Sequence, residues 1–224
     1  MCGRYTLRAN LNRILEEFAV EAREGLHVEP LALLPRFNIA PTQQIPIVRQ
    51  GEAGRELTTA RWGLIPSWAK DEKIGYSTIN ARADGVADKP AFRSAFKRRR
   101  CLVPADGYYE WLREGKEKLP FLHEVGGPER LFAMAGLWEE WHDIPSATII
   151  TTDANAVAGE VHDRMPVILH EADYETWLDP ANSDRAGLEA LLKPYDGPMQ
   201  ARPVSRYVNN ARNEGPECTV DPKT

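Results

Sequence analysis

Between residues 101 and 152 the chain repeats one local pattern five times: a short run rich in β-branched and aromatic residues, then a turn. The runs are CLVP (101–104), GYYEWL (107–112), LPFLHEV (119–125), RLFAMAGLWEEW (130–141) and SATIITT (146–152), with EGKE and GGPE among the turn signals between them. Runs this short, joined by this turn chemistry, read as neighbouring strands. The sheet they build is expected either to close on itself or to split into two, since it must bury one face and manage its edges. Two further runs, IPIVR (45–49) and ELTTARWGL (56–64), flank QGEAGR and read as a hairpin, and MQARPVS (199–205) reads as a returning strand.

Helical signals sit towards the two ends of the chain. NLNRILEEFAVEA (10–22) places Leu11, Ile14, Leu15 and Phe18 at helical spacing behind Asn10, a good N-cap. KPAFRSAFKRRR (89–100) reads as a short helix with Pro90 in its first turn and Phe92 and Phe96 on one face. DYETWL (173–178) and DRAGLEALLK (184–193) are late helices. Strands in the middle and helices outside them favour an α+β class over a βαβ repeat. The 224 residues suffice for one large domain or two small lobes, and no linker or internal repeat divides them. A single domain over 1–224 is expected, with 211–224 as a C-terminal tail.

The formal charge of −5 excludes a global field that attracts nucleic acid, so any nucleic-acid site must be a local basic groove. Three cysteines, Cys2, Cys101 and Cys218, are odd in number and far apart. They suggest neither a disulfide framework nor a zinc site, and no metal and no cofactor is expected. Cys101 and Cys218 read as small buried hydrophobes. No basic-then-apolar leader and no membrane-spanning run is seen, which points to a cytoplasmic protein.

Cys2 stands apart from the other two because it directly follows the first methionine. If Met1 is removed, its α-amine and thiol become a 1,2-aminothiol, which no internal cysteine reproduces. Several other stretches suit a packed interior poorly. FNIAPTQ (37–43) is a polar turn around Pro41, and RWGLIPSW (61–68) brackets a loop with Trp62 and Trp68. STINARAD (77–84) puts Asn80 and Arg82 on one side of an extended segment. PADGYYEW (104–111) sets Glu110 between aromatic neighbours, VHDRMP (161–166) holds His162 and Arg164, and VSRYVNN (204–210) ends in paired asparagines. Each has an ordinary structural explanation when taken alone: a solvated edge glutamate, a hydrogen-bonded histidine, a turn asparagine. Lys97-Arg98-Arg99-Arg100 reads as the solvated end of a helix, where positive charge complements the dipole.

Together, MCGRY, FNIAPTQ, RWGLIPSW, INARAD, CLVPADGYYEW, HDRMP and VSRYVNN, in this order and at these separations, resemble the SOS-response-associated peptidase (SRAP) family. The likeness runs from Cys2 to about Asn210. It implies an α+β fold with a barrel-like β core, a basic groove for single-stranded DNA, and protection of abasic sites by a covalent crosslink to the N-terminal cysteine. By motif, it makes Cys2 the crosslinking residue and Asn80, Glu110 and His162 its companions. Arg4, Arg82 and Arg164 are implied to hold phosphates, and Pro41 and Trp68 to lie in loops that contact DNA. Ala69 departs from members that carry a second tryptophan at that place.

The chemistry fits the residue types. An α-amine has a reference pKa of about 7.7–8.0 against about 10.4 for lysine, so far more of it is free base at neutral pH. It can condense with the open-chain aldehyde of an abasic sugar, and the adjacent thiol can then close a thiazolidine ring. The implied partner is single-stranded DNA containing abasic sites, with replication or repair proteins left open. The chain is expected to act as a monomer that joins the nucleoid only when bound to DNA. Two alternatives remain at this level. One is an N-terminal-nucleophile thiol (auto)peptidase or amidohydrolase. The other is a non-catalytic single-strand-binding module in which Cys2 is incidental.

Overall fold

A computed structural model describes residues 2–20 and 35–222. In chain order the elements are β1 (Tyr5–Leu7), α1 (Leu11–Glu17), β2 (Arg36–Ile39), β3 (Gln44–Gly51), β4 (Gly54–Trp62), β5 (Asn80–Arg82), α2 (Arg93–Arg98), β6 (Arg100–Ala105), β7 (Gly107–Glu114), β8 (Glu117–Val125), β9 (Phe132–Trp141) and β10 (Ile144–Asp153). They continue with α3 (Ala156–Gly159), β11 (Arg164–Pro166), β12 (Ile168–Leu169), α4 (Tyr174–Leu178), α5 (Arg185–Ala190) and β13 (Met199–Pro203). The class is α+β and dominated by strands. The two alternatives for the sheet are both realised: the strands divide into two sheets, and the larger one closes.

In the larger sheet β10, β4, β3, β6 and β9 pair in succession, and β9 pairs back onto β10, so five strands form a ring. Closure removes the open edges that a sheet would otherwise present. Within the ring the one parallel contact, β4 against β10, joins strands that no hairpin could connect; outside the ring, β5 also pairs β10 in parallel. β10 changes partners along its length. Its first part lies between β9 and β4, and its end lies between β5 and β11, with Thr151 opposite Arg82 on one side and Asp153 opposite Arg164 on the other.

The smaller sheet has the order β13-β8-β7-β1-β2. Register sets Tyr5, Tyr108 and His123 in one cross-strand row. The Tyr5 ring meets Trp62 edge-on at 5.4 Å, so this face packs on the ring of strands. The opposite face carries Tyr109 and Leu122, which join Val204, Val208 and Cys218 in a second cluster. With both faces covered, Tyr108 and Tyr109 are each fully buried although they are adjacent.

The hairpin at 44–62, the five central strands, α4, α5 and β13 form where the sequence pattern puts them. Asn10 caps α1 by accepting from the Arg13 N–H at 3.0 Å, but the helix stops at Glu17, with Phe18 as its C-cap and Ala19 at φ +49°, short of the 10–22 pattern, whose last two residues lie outside the described residues. Three further expectations are corrected. Pro90 precedes α2 in a turn rather than occupying its first turn, while Phe92 and Phe96 are buried as the spacing requires. Arg100 is not a solvated helix end: it is buried, and its guanidinium donates to the carbonyls of Phe96, Lys97, Trp177, Asp179 and Asn182. Residues 211–222 are not a loose tail. Cys218 is fully buried, Glu214 accepts from the Phe37 N–H, and the Val220 carbonyl accepts from Ser205.

Candidate active site

The N-terminal segment is pinned between the two sheets. β1 lies between β7 and β2, and buried Asp106 accepts from the Thr6 hydroxyl at 2.6 Å, from Arg8 Nε at 2.9 Å, and from the backbone N–H groups of Arg8 and Ala9. A carboxylate that takes several donors in a buried site is a strong anchor. The Tyr109 N–H donates to the Arg4 carbonyl, which continues the ladder towards the terminus. Cys2, two residues further on, is fully buried within reach of the Glu110 charge.

The second contribution comes from the end of β10. Asn80, the first residue of β5, donates its side-chain amide to the Cys2 carbonyl at 2.9 Å. This bond ties the ring of strands to the N-terminal segment. Arg164 on β11 reaches across the end of β10 to Asp153 at 2.7 Å and to the Thr151 carbonyl at 2.7 Å. Its own backbone N–H donates to His162 Nδ1 at 3.0 Å, and Asp163 Oδ1 lies 2.9 Å from the same nitrogen. Asn80, Arg82, His162 and Arg164 thus share one rim. There Arg82, Asp84, Asp153 and Arg164 line a cleft of about 570 Å³.

The three arginines are placed differently. Arg82 is exposed and holds only its neighbour Asp84, at 3.0 Å. Arg164 is 8% exposed and bound as just described. Arg4 is half-buried, donates to Asn38 Oδ1 and the Val208 carbonyl at 2.9 Å each, and lies over Trp111. Pro41 sits in a turn joined to the end of β4 by the pairs Thr42 N–H to Trp62 O and Trp62 N–H to Gln43 O, both 2.9 Å. Trp68, by contrast, is 58% exposed, in the loop from β4 to β5 that leads into Asn80. That loop folds back on itself at Gly63, where φ is +127° and a Cβ would stand 2.4 Å from the Gly75 carbonyl oxygen.

Burial dominates the electrostatics. It pushes the Cys2 thiol up, and the Glu110 charge adds to the effect, so the sulfur is held as S–H. Burial also raises the Glu110 carboxyl above its usual range, while His162 draws it back down. The influence of Glu110 on Cys2, and of His162 on Glu110, places the three in one electrostatic neighbourhood with Asn80 bonded to the first. Such a set can orient a backbone group, exchange a proton and present a sulfur nucleophile.

Sequence reasoning missed Asp106, Asn38, Tyr76 and Tyr108. Asn38 bonds Arg4 and the carbonyls of Val208, Asn210 and Asn213, so it joins three of the motifs. Tyr76 is 64% exposed, with the Arg61 guanidinium over its ring, in the same loop as Trp68. The Tyr108 hydroxyl is buried without a hydrogen-bond partner among the described residues, and burial followed by the Cys2 and Glu110 charges raises its pKa. Aspartate before a glycine, in PADG, and asparagine in a turn-like FNIAP were the available signals; the first stretch was read only for Glu110 and the second only as a polar turn.

A closed sheet with a cysteine-bearing terminus threaded beside a buried carboxyl defines a class of thiol-bearing α+β proteins. Comparison places the chain within that class. The model of the SOS response associated peptidase (SRAP) family matches residues 1–211, and the chain belongs to this family. It is 42% identical to the abasic site processing protein YoqW of Bacillus subtilis (strain 168), over 97% of this chain and 98% of that one. It is 31% identical to the abasic site processing protein HMCES of Gallus gallus, over 98% of this chain and 77% of the relative. A crystal structure of a protein from Bacteroides thetaiotaomicron superposes with a TM-score of 0.84 at 30% identity, covering 98% of this chain and 99% of the other.

Proposed function

We propose that this chain processes abasic sites in single-stranded DNA by capturing them covalently on Cys2 once Met1 has been removed. The observation that carries the reading is the Asn80–Cys2 hydrogen bond beside buried Glu110: a terminal aminothiol held next to a group able to exchange protons. The names of the relatives support the choice of substrate.

The α-amine adds to the aldehyde carbon of the open sugar to give a carbinolamine. Loss of one water yields an imine. The Cys2 sulfur then adds to the imine carbon and its proton passes to the nitrogen, closing a five-membered ring with one water released overall. Because the thiol is held protonated, the amine reacts first and the sulfur follows by proximity; well-oriented intramolecular steps reach effective molarities of about 10⁵ M or more. Glu110 moves protons at the amine and the departing oxygen, His162 serves the sugar oxygen, and Asn80 orients the terminus. Arg82, Arg164 and Arg4 supply positive charge along the strand, and exposed Trp68 offers a stacking surface that tolerates any base. A stacked duplex would not present its sugar to a buried cysteine, which favours single strands.

The test mixes Met-free protein with an oligonucleotide carrying one abasic site and follows a denaturing gel. A heat-resistant shifted band that is lost in Cys2→Ala supports the reading. No band from the wild type, together with cleavage of peptides or hydrolysis of glutamine, replaces it with the thiol-hydrolase alternative.

A further inference from the structure

A cleft of about 600 Å³ lies between α2 and the loop from α4 to α5, and it shares no lining residue with the cleft at the end of β10. Its apolar lining comes from Phe96, Ala87, Pro180, Ala181 and Leu188. The two walls are fastened together by one side chain. Arg100 donates to Phe96 O at 2.6 Å and Lys97 O at 2.8 Å on the helix, and to the carbonyls of Trp177, Asp179 and Asn182 on the other side. A buried guanidinium with its donors spread over both walls makes the cleft pre-formed, which lowers the entropy cost of filling it.

Charge at its rim is one-sided. Arg99 is paired with Glu139, and Arg185 with Asp88 and Glu189. Lys97 and Arg98, adjacent and exposed, have no carboxylate partner among the described residues, although the protein as a whole is acidic. Two adjacent unpaired cations beside an apolar recess match a ligand with consecutive carboxylates and one bulky apolar group. A nucleic-acid strand fits less well, because Phe96 is only 3% exposed and offers no ring face for a base.

We propose that this cleft is a docking site for an acidic peptide segment of a partner protein, its bulky apolar side chain between α2 and the Pro180–Ser183 loop and its carboxylates on Lys97 and Arg98. The proposal is independent of the chemistry at Cys2. It is tested by fluorescence anisotropy with a labelled peptide of four glutamates followed by two phenylalanines, and with its counterpart ending in two alanines. The expected result is saturable binding of the first peptide, at least tenfold weaker for the second. The double variant Lys97→Glu/Arg98→Glu and the cleft-filling Ala181→Trp should each raise Kd at least tenfold, with abasic-site crosslinking unchanged. Both variants change exposed residues, and their melting temperatures verify the fold. Absence of saturable binding by the wild type, or equal affinity for the two peptides, overturns the proposal. It is also overturned if unlabelled oligothymidylate displaces the peptide and Ala181→Trp weakens both ligands equally, since the cleft then belongs to the nucleic-acid path.

Discussion

Glu110 and His162 divide the acid–base work in the proposed reaction, and their environments set its pH dependence. Because burial holds the Glu110 carboxyl above its usual range, crosslinking should gain rate as pH rises through a value above the ordinary carboxylate range. Glu110→Gln should remove that limb and slow single-turnover capture by about 10²-fold, within the range of general acid–base catalysis. His162→Gln should slow it too, with the Glu110 limb kept. Rates measured from pH 5 to 8 decide this, and unchanged rates in both variants would contradict the assignment. His123 makes a separate prediction about stability. It is fully buried, stacked on Tyr108 with centroids 4.6 Å apart, and burial lowers its pKa from 6.5 to about 4. The folded protein therefore resists protonating this ring while the unfolded chain accepts the proton. The stability tied to the neutral ring is complete above pH 6.5 and is lost as pH falls towards 4, by about 3 kcal/mol. In denaturant melts across that window, wild type should lose stability relative to His123→Phe as pH falls; parallel curves would contradict it.

Among the elements, β1 matters most for its length, since three residues position the segment that carries Cys2. Asp106 fastens it through four donors; Asp106→Ala takes that partner from the Thr6 hydroxyl and two backbone N–H groups, while half-buried Arg8 keeps Glu124. A destabilisation of about 3 kcal/mol is expected, since a buried donor left unsatisfied costs about 1–3 kcal/mol. Capture should slow in the variant even where it remains folded, as read by melting and single-turnover assays. The strands and most helices could be read locally, because alternation, turn residues and the Asn10 cap are properties of contiguous sequence. Asp106, Asn38 and Arg100 could not. Each is defined by bonds to segments far away in the chain: Asp106 to Arg8, Asn38 to residues 208–213, and Arg100 to residues 177–182. Local pattern assigned Arg100 to a solvated helix end, and tertiary packing overrode it.

At the scale of the whole molecule, the site exists because a closed sheet and an open one meet along the N-terminal segment. That meeting depends on the parallel β4–β10 contact and on β10 exchanging partners, neither of which has a local signature. Cys2, Asn80, Glu110 and His162 are assigned together only through the family resemblance of the ordered motifs; taken singly, each has an ordinary structural explanation. The cleft sets Arg82 and Arg164 beside Asp84, Asp153 and Glu189, so phosphates must take these arginines from their carboxylates; DNA affinity should fall with salt, and Arg82→Ala should flatten log K against log salt by about 0.7, one phosphate on a single strand. An unchanged slope would remove Arg82 from the DNA path. The central claim is that one residue supplies both nucleophiles. The most direct measurement is mass spectrometry of the protease-digested complex between Met-free protein and abasic single-stranded DNA. The account predicts the sugar adduct on the peptide beginning at Cys2, at the sum of the partners less one water, with no free thiol. An adduct on any other residue, or one that leaves the Cys2 thiol free to alkylate, would contradict it.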